Sequence, residues 1–208
     1  PFTGVYPIFV MKLLCFAMFA CAFNLLLGFT KMLSFGHAAY FGASAYTTGW
    51  LVAVHGWGTM AGLLAGLVVS TLLGLVIGAI AVRRQGIYFA MITLALSQLV
   101  FFICLQSDVT GGENGLQGIP RGRIFGAIGL DRDVTMYYFV LAVFVAVYLF
   151  ILRIVRSPFG HILAAIRENE PRAVSLGYKV DRYKLIAFVL SASLAGLAGS
   201  LKALILGF

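Results

Sequence analysis

Residues 59–82 read TMAGLLAGLVVSTLLGLVIGAIAV, an apolar run without a charged side chain that ends directly before Arg83 and Arg84. A helix needs about 20 predominantly apolar residues to cross the roughly 30 Å hydrocarbon core of a bilayer, and this run is long enough. Small residues recur at every fourth position, and residues four apart share one face of a helix. Because small side chains let helix backbones approach closely, we expect this face to pack inside a bundle or at a subunit contact. The small residues are Gly62, Gly66, Ser70, Gly74 and Gly78.

The rest of the chain has the same apolar character. Of its 208 residues, 62% are hydrophobic and 11% are charged, and the mean hydropathy is +1.01. Soluble domains are about 45–50% apolar and about 25% charged, so this chain has too few polar side chains to cover a soluble core. The composition predicts an all-α, polytopic integral membrane helix bundle. Five further candidate spans bring the total to about six: 5–28, 36–54, 86–107, 134–152 and 185–207.

The segment 36–54 is the weakest of these candidate spans. It is short, rich in Gly and Ser, and opens with His37, so it fits either a full crossing or a broken, re-entrant helix. The second alternative requires protein or water to satisfy the backbone of the broken helix. We treat 1–208 as a single transmembrane domain. We expect it to be a fragment of a longer chain, because it starts at Pro1 and ends at Phe208 inside an apolar run.

The charged residues lie between the apolar runs rather than in one patch, which argues against nucleic-acid binding despite a net charge of +8. Lys and Arg are enriched on the cytoplasmic side of membrane helices. This rule places Lys31, Arg83, Arg84 and the link 153–184 in the cytoplasm, and the mildly acidic link 108–133 outside. We therefore expect a multi-pass protein of the cell's inner, or plasma, membrane, with lipid around its spans.

Two lysines and three cysteines lie within the apolar runs. Lys12 and Lys202 are toward the outer ends of their spans, where a lysine stem can carry its ammonium to the surface. The cysteines show no CxxC or Cys/His ligand spacing. We interpret them as buried, inert thiols and expect no metal site; they are Cys15, Cys21 and Cys104.

A polar block interrupts this apolar chain at residues 164–184, AAIRENEPRAVSLGYKVDRYK. Its apolar residues recur at three-to-four spacing with gaps, which predicts one or two short helices at the cytoplasmic surface. Pro171 suits the first position of a helix, and Gly177 suits the position just past the end of one, so we expect two helices that meet near 169–171. The mixed charges suit a protein partner, because a lipid-binding segment would be mostly Lys and Arg. The alternative is a solvated loop with incidental charges.

Four blocks of the sequence carry a resemblance to a known family. They are LSFGHAAYFGASAYTTG at 33–49, GIYFAMITLALSQLVF at 86–101, TGGENGLQGIP at 110–120, and SPFGHILAAIRENEPRAVSLGYKVDRYKLIAFVLSASLAGLAGSL at 157–201. In this order, they resemble the permease subunits of the ABC importers for branched-chain amino acids and of related importers for urea and amides. The M-type permease is the more similar of the two permease types.

The resemblance implies a bacterial importer with several subunits. Two permease subunits form the path, two cytoplasmic ATPase subunits drive it, and an extracytoplasmic solute-binding protein delivers the solute. This chain has no G-x-x-x-x-G-K-[ST] phosphate loop. We therefore expect it to have no catalytic residues and no cofactor, to be a transport subunit rather than an enzyme, and to leave ATP and Mg to the ATPase subunits.

The resemblance also implies that 153–184 is a cytoplasmic coupling segment. The general importer pattern there is E-A-A-x-x-x-G, of which this sequence keeps Ala173 and Gly177 in register, while Glu170 stands one place early. The two kept positions carry the coupling role most directly. Arg167, Glu168 and Glu170 are the further candidates for contact with the ATPase groove.

Polar residues within the spans are candidates for the solute path, because such side chains are costly in lipid. The alternatives are hydrogen bonds between helices and a helix cap, which Ser34 would supply. A second ridge of small residues, Ala192, Gly196 and Ser200, predicts close packing of the last span. The path candidates are Asn24, Ser34, His37, Thr93, Ser97 and Gln98.

Two other functions remain possible from the residues alone. A secondary carrier or channel should show intramembrane Asp or Glu, or paired broken helices. A membrane enzyme should show a cluster of His, Asp or Glu near a membrane face. Neither pattern is visible in the sequence, which does not name the solute: a leucine-type amino acid, urea and a short amide all remain compatible.

Overall fold

The computed structural model describes residues 6–107, 123–124, 128–129 and 133–207. The chain forms four long helices before the link 108–133. These are α1 (Pro7–Thr30), α2 (His37–Ala53), α3 (Thr59–Ala81) and α4 (Ile87–Gln106). The Gly-rich block at 110–120 and most of the link 108–133 lie outside the described residues.

The second half of the chain is also helical. A two-residue pair, β1 (Arg123–Ile124) and β2 (Ile128–Gly129), is antiparallel and is followed by four helices. These helices are α5 (Asp133–Val155), α6 (Pro158–Glu168), α7 (Glu170–Ser175) and α8 (Val180–Leu206). The expected all-α membrane bundle is therefore confirmed.

Among the described residues, five helices are long and apolar enough to cross a membrane: α1, α3, α4, α5 and α8. The sixth candidate span, α2, has 17 residues and a length of about 25 Å. It is one continuous helix over His37–Ala53, so it does not break or turn back within that stretch.

Polar side chains of α2 explain why this short, Gly- and Ser-rich segment is helical. The Ser44 hydroxyl donates to the carbonyl of Gly196 at 2.6 Å, and the Thr48 hydroxyl donates to the carbonyl of Gly62 at 3.0 Å. Both bonds cross to neighbouring helices, and both hydroxyls are fully buried. In a membrane, such bonds stabilise helix association, so the polar residues of α2 fix it against α3 and α8.

The two ridges of small residues lie where α3 meets α8. A Cβ on Gly74 would lie 2.6 Å from the Cβ of Ala192, and a Cβ on Gly66 would collide with Ser200. From the other side, a Cβ on Gly196 would collide with Ser70. The backbones are thus too close for any larger side chain. This contact makes α8 the central helix, which packs against α1, α2 and α3.

Candidate functional site

The ends of several helices converge at the basic end of the bundle. They surround a cleft of about 210 Å³ between the end of α1, the α3–α4 turn, the α6–α7 segment and the start of α8. Four side chains in its lining carry positive charge and one carries negative charge. The lining residues are Thr30, Lys31, Met32, Arg84, Gln85, Gly86, Phe89, Ile166, Arg167, Glu170 and Lys184.

The segment α6–α7, which we call the elbow, is made by two short helices that share one cap residue. The backbone N–H of Asn169 donates to the carbonyl of Ala165 and closes α6, while its side-chain oxygen accepts from the N–H of Arg172 at 3.1 Å and opens α7. A residue that serves both helices forces a sharp bend between them. The prediction of two helices meeting near 169–171 is confirmed.

Gly177 follows the end of α7 in a left-handed conformation. Its φ angle is +87°, which residues other than glycine rarely adopt. The position lies just past the last helical residue, as in the common glycine termination of helices. The sequence prediction for Gly177 is therefore confirmed in its local geometry, and the residue is exposed.

Three ties hold the elbow to the bundle. The Glu170 carboxylate accepts from the Lys184 ammonium at 2.7 Å and from the Gln85 side-chain amide at 2.9 Å. The Arg167 guanidinium donates to the carbonyl of Gly28. Lys184 is only 5% exposed, so its charge needs the carboxylate as a partner. The elbow is thus connected to α1, to the α3–α4 turn and to α8.

These ties refine the expectation for the coupling residues. Arg167 is exposed and Glu170 is partly buried, yet both bind the bundle through their side chains. Glu168 is exposed, and Ala173 is buried beside Ile166 and Val180. Sequence reasoning missed Lys184 and Gln85 as their partners. Lys184 had a signal, since a lysine that starts an apolar span needs a counterion, but nothing in the sequence pointed to Gln85.

Apolar side chains are exposed on α7 and on the turn that follows it, on the side that faces away from the bundle. Val174 is 57% exposed and Leu176 is 69% exposed, and Tyr178 follows them at the surface. We call these three residues the apolar knob. They lie among charged residues rather than in an apolar span, so lipid tails are not their natural contact. Exposed apolar groups rimmed by polar residues are typical of protein interaction sites.

Two of the path candidates have structural roles. The Ser34 hydroxyl accepts from the N–H of Gly36 at 3.3 Å, just before α2 begins. His37 is 2% exposed, and its Nε2 lies 2.8 Å from the hydroxyl of Ser191, which itself donates to the carbonyl of Ala22. The imidazole is enclosed by aromatic rings, namely those of Phe19, Phe23, Tyr40 and Phe188.

The remaining path candidates divide into buried and exposed residues. Thr93 and Ser97 are buried and donate to carbonyls of their own helix, those of Ala90 and Leu94. Asn24 and Gln98 are exposed on the surface of the chain. The structure does not bring the six candidates together at one site.

Ser97 and Gln98 line a groove of about 160 Å³ between α2 and α4. Most of the α2 side of this groove is made of small residues, so the groove is open along the helix. Gln98 is the twelfth of the 20 residues of α4, which places its amide near the middle of the span. The other lining residues are Ala38, Ala39, Gly42, Ala43, Tyr46, Val100, Phe101 and Cys104.

Lys202 of α8 reaches a second candidate position, between Phe16 of α1 and Phe41 of α2. Its ammonium is 4.8 Å from the ring centre of Phe16 and 5.2 Å from that of Phe41, and the two rings are stacked 6.1 Å apart. Phe16 lies about 14 Å along α1 from Pro7. The ammonium thus lies over two aromatic rings, and the Lys202 side chain is partly buried. The expectation that its stem carries the ammonium to the outer surface stays a prediction. We call the position formed by Lys202, Phe16 and Phe41 the lysine site.

The two rings compensate the charge only in part. Charged side chains within a membrane are costly, most of all at the centre of a span, and Lys202 lies four residues before the end of α8. Partly exposed cation–π contacts contribute about 0.5–1 kcal/mol each. An anionic group at the lysine site would therefore stabilise the ammonium further.

Residues 8–208 match the family described as the permease component of branched-chain amino acid transport systems. The chain is 34% identical to the high-affinity branched-chain amino acid transport permease LivM of Salmonella typhimurium and 32% identical to that of Escherichia coli, in each case over 89% of this chain and 49% of the relative. A probable LivM permease of Methanocaldococcus jannaschii is 29% identical over 68% of this chain and 42% of the relative.

The chain spans about half the length of the curated relatives that it matches, and no solved structure matches it. The match to the family covers nearly all of the sequence, and it agrees with the membrane bundle and with the four blocks recognised in the sequence. This chain therefore belongs to the family of branched-chain amino acid transport permeases.

Proposed function

We propose that this chain is a permease subunit of an ATP-driven importer for branched-chain amino acids or related small polar solutes. It would pair with a second permease subunit, receive solute from an extracytoplasmic binding protein, and be driven by two ATPase subunits that bind ATP and Mg. The observation that carries the proposal is the elbow, which joins an exposed docking surface to three separate parts of the bundle.

The ties of the elbow suggest how force would reach the membrane helices. An ATPase subunit that docks on the apolar knob would move α7 as it closes around ATP. Because Arg167 holds Gly28 and Glu170 holds both Gln85 and Lys184, that movement would be passed to α1, to the α3–α4 turn and to α8. Conformational change needs such a contiguous, rigid connection between the two sites.

The chain would sit in a bacterial inner membrane with its basic end in the cytoplasm. The elbow and the turn that holds Arg83 and Arg84 share this end, as the positive-inside rule requires of cytoplasmic links. The ATPase subunits, which work in the cytoplasm, would then meet the elbow directly. A secondary carrier is less well supported, because no Asp or Glu lies within α1–α4.

The α2–α4 groove is a candidate wall of the solute path. Gln98 is exposed near mid-depth, and an amide that faced lipid tails there would lose its hydrogen bonds to water. Facing a water-filled path or the second permease subunit removes that cost. Ser97 and Gln98 are therefore the path candidates that we retain from the sequence.

The docking proposal is tested by placing a charge on the apolar knob. In the full-length chain expressed with its partner subunits, we expect Leu176→Asp to reduce co-purification of the ATPase subunits at least tenfold, because the apolar contact would be lost. The matched control is Val54→Asp at the opposite end of the bundle, where Val54 is 60% exposed. It should leave the association unchanged. Equal recovery of the ATPase subunits with both variants would refute the docking proposal.

A further inference from the structure

We propose that the ammonium of Lys202, beside the stacked rings of Phe16 and Phe41, binds the carboxylate of the transported solute. This inference rests on the proposed transport function and makes it more specific, because it assigns a residue to the solute and selects a chemical class. Among the alternatives that the sequence left open, only an amino acid carries a carboxylate; urea and simple amides do not.

The first argument is the access to the ammonium. α1 and α2 both pack against α8, and Lys202 extends from α8 into the space between them, where it meets the exposed ring of Phe16. The exposed side chains of α1 continue along the same stripe from Leu13 to Phe16 and Ala20. The lysine site thus lies at the surface of this chain rather than in its closed interior.

The second argument is that, among the residues that the structure describes, no carboxylate pairs with the ammonium. The chain has seven Asp and Glu residues; none of them lies within α1–α4, and Asp108, Glu113 and Asp131 lie outside the described residues. The acid of α8 is Asp181, 21 residues before Lys202 and about 31 Å away along the helix axis. In the part of the chain that the structure describes, the contacts of this ammonium are the two rings. A lysine has three N–H donors, and the rings do not use them as an oxygen acceptor would.

The third argument is the chemical match between the lysine site and an aliphatic amino acid. A carboxylate would accept from the Lys202 ammonium and remove the cost of its charge, while the phenyl walls would contact an apolar side chain. Neutral solutes would gain no charge pairing at this position. A site that is apolar on its walls and charged at one point is typical of small-molecule binding, where a few polar groups fix the orientation.

A second source of the carboxylate is an acidic side chain of another subunit. That arrangement would also neutralise Lys202, but it would make the lysine a residue of the subunit interface. The two sources differ in what they predict for assembly. If Lys202 binds the solute, its replacement leaves the complex intact. If Lys202 pairs with an acidic side chain of another subunit, its replacement weakens the association of the permease subunits.

The test uses the full-length chain in its assembled complex, reconstituted in proteoliposomes with ATP. The binding protein is saturated with radiolabelled L-leucine, so that capture of the solute does not limit the rate. We expect Lys202→Met to lower the initial rate of uptake at least tenfold, and Lys202→Arg, which keeps the charge, to stay within threefold of the unsubstituted complex. The matched control is Lys12→Met in the other apolar span, which should stay within twofold.

Two readouts keep the outcomes distinct: the uptake of leucine and the co-purification of the second permease subunit. If the unsubstituted complex takes up no leucine, the proposed function fails. If that complex transports and Lys202→Met transports within twofold of it, the lysine inference alone fails. The inference is also overturned if Lys202→Met loses the second permease subunit on purification, which would assign the charge to a partner's carboxylate. An equal loss in Lys12→Met would overturn it as well, because any positive charge would then serve.

Chemical rescue covers the case in which Lys202→Met does not assemble. Lys202→Cys is made in a chain whose Cys15, Cys21 and Cys104 are replaced by serine, and is treated with a reagent that adds either an aminoethyl or a methyl group through a disulfide. We expect uptake to rise at least fivefold with the aminoethyl group and not with the methyl group. The same low rate after both treatments would overturn the proposal.

Discussion

α8 and α4 are both long and apolar enough to span a membrane, yet they take opposite positions in the bundle. The most apolar window of α8 has a mean hydropathy of 1.8 and is 67% buried, whereas that of α4 has a mean hydropathy of 2.2 and is 22% buried. The less hydrophobic helix is therefore the more buried one. α5 extends the trend, with a mean hydropathy of 2.6 and 17% burial.

The reason is that the medium outside the bundle is apolar. In water, burial follows hydrophobicity, but lipid tails are as apolar as a leucine side chain, so a leucine gains little by leaving them. Close approach of backbones decides which helix lies inside, and α8 supplies it with Ala192, Gly196 and Ser200. The large side chains of α4, such as Phe101 and Phe102, remain exposed and are available to lipid or to another subunit.

The largest expected effect comes from adding bulk to the central helix. We expect Gly196→Leu to lower the thermal midpoint by about 6–12 °C, because a side chain there collides with Ser70 and overpacking of this kind costs about 3 kcal/mol. Ala95→Leu, at an exposed position of α4, should leave the midpoint unchanged. Thermal unfolding of the detergent-purified complex measures both. A similar loss in the two variants would show that small residues do not set the order of burial.

A smaller effect is expected in the elbow, because polar side-chain bonds hold it to the bundle instead of close backbone contact. Glu170→Ala leaves the Lys184 charge buried without its carboxylate. Since Glu170 is partly exposed and water can reach the pair, we expect a local cost of about 1–3 kcal/mol. Amides of α7 should then exchange with deuterium roughly 5- to 150-fold faster. The control is Glu168→Ala, at an exposed position without a tie to the bundle, and faster exchange in both variants would contradict this role of Glu170.

Much of this arrangement was predictable from the sequence. The spans followed from the length of the apolar runs, and the bend of the elbow followed from Pro171 and Gly177, since these residues restrict the backbone locally. The ridge at Gly74 and Gly78 indicated close packing, because spacing of four defines a helix face. Each of these signals is local in the sequence.

The contacts that make the candidate sites were not predictable in the same way. Gln85 meets Glu170 across 85 residues, and nothing in its neighbourhood marks it for that role. Nor does the sequence show that Phe16 and Phe41 lie beside Lys202. Such pairs depend on how helices pack, which a pattern along one helix does not contain.

The smallest expected effect is that of replacing His37 by phenylalanine. A structural role of the imidazole and a role in the solute path predict opposite results for transport. The Ser191 hydroxyl has one hydrogen and gives it to the carbonyl of Ala22, so His37 Nε2 carries the proton of their contact. His37→Phe removes this bond but keeps the ring among its aromatic neighbours. We expect it to cost about 1 kcal/mol and to lower the thermal midpoint by about 2–4 °C, with leucine uptake above half of that of the unsubstituted complex. A His37→Phe complex that assembles normally but no longer transports would show that the imidazole acts on the solute or its gate, and that polar groups buried at the centre of this bundle do more than hold helices together.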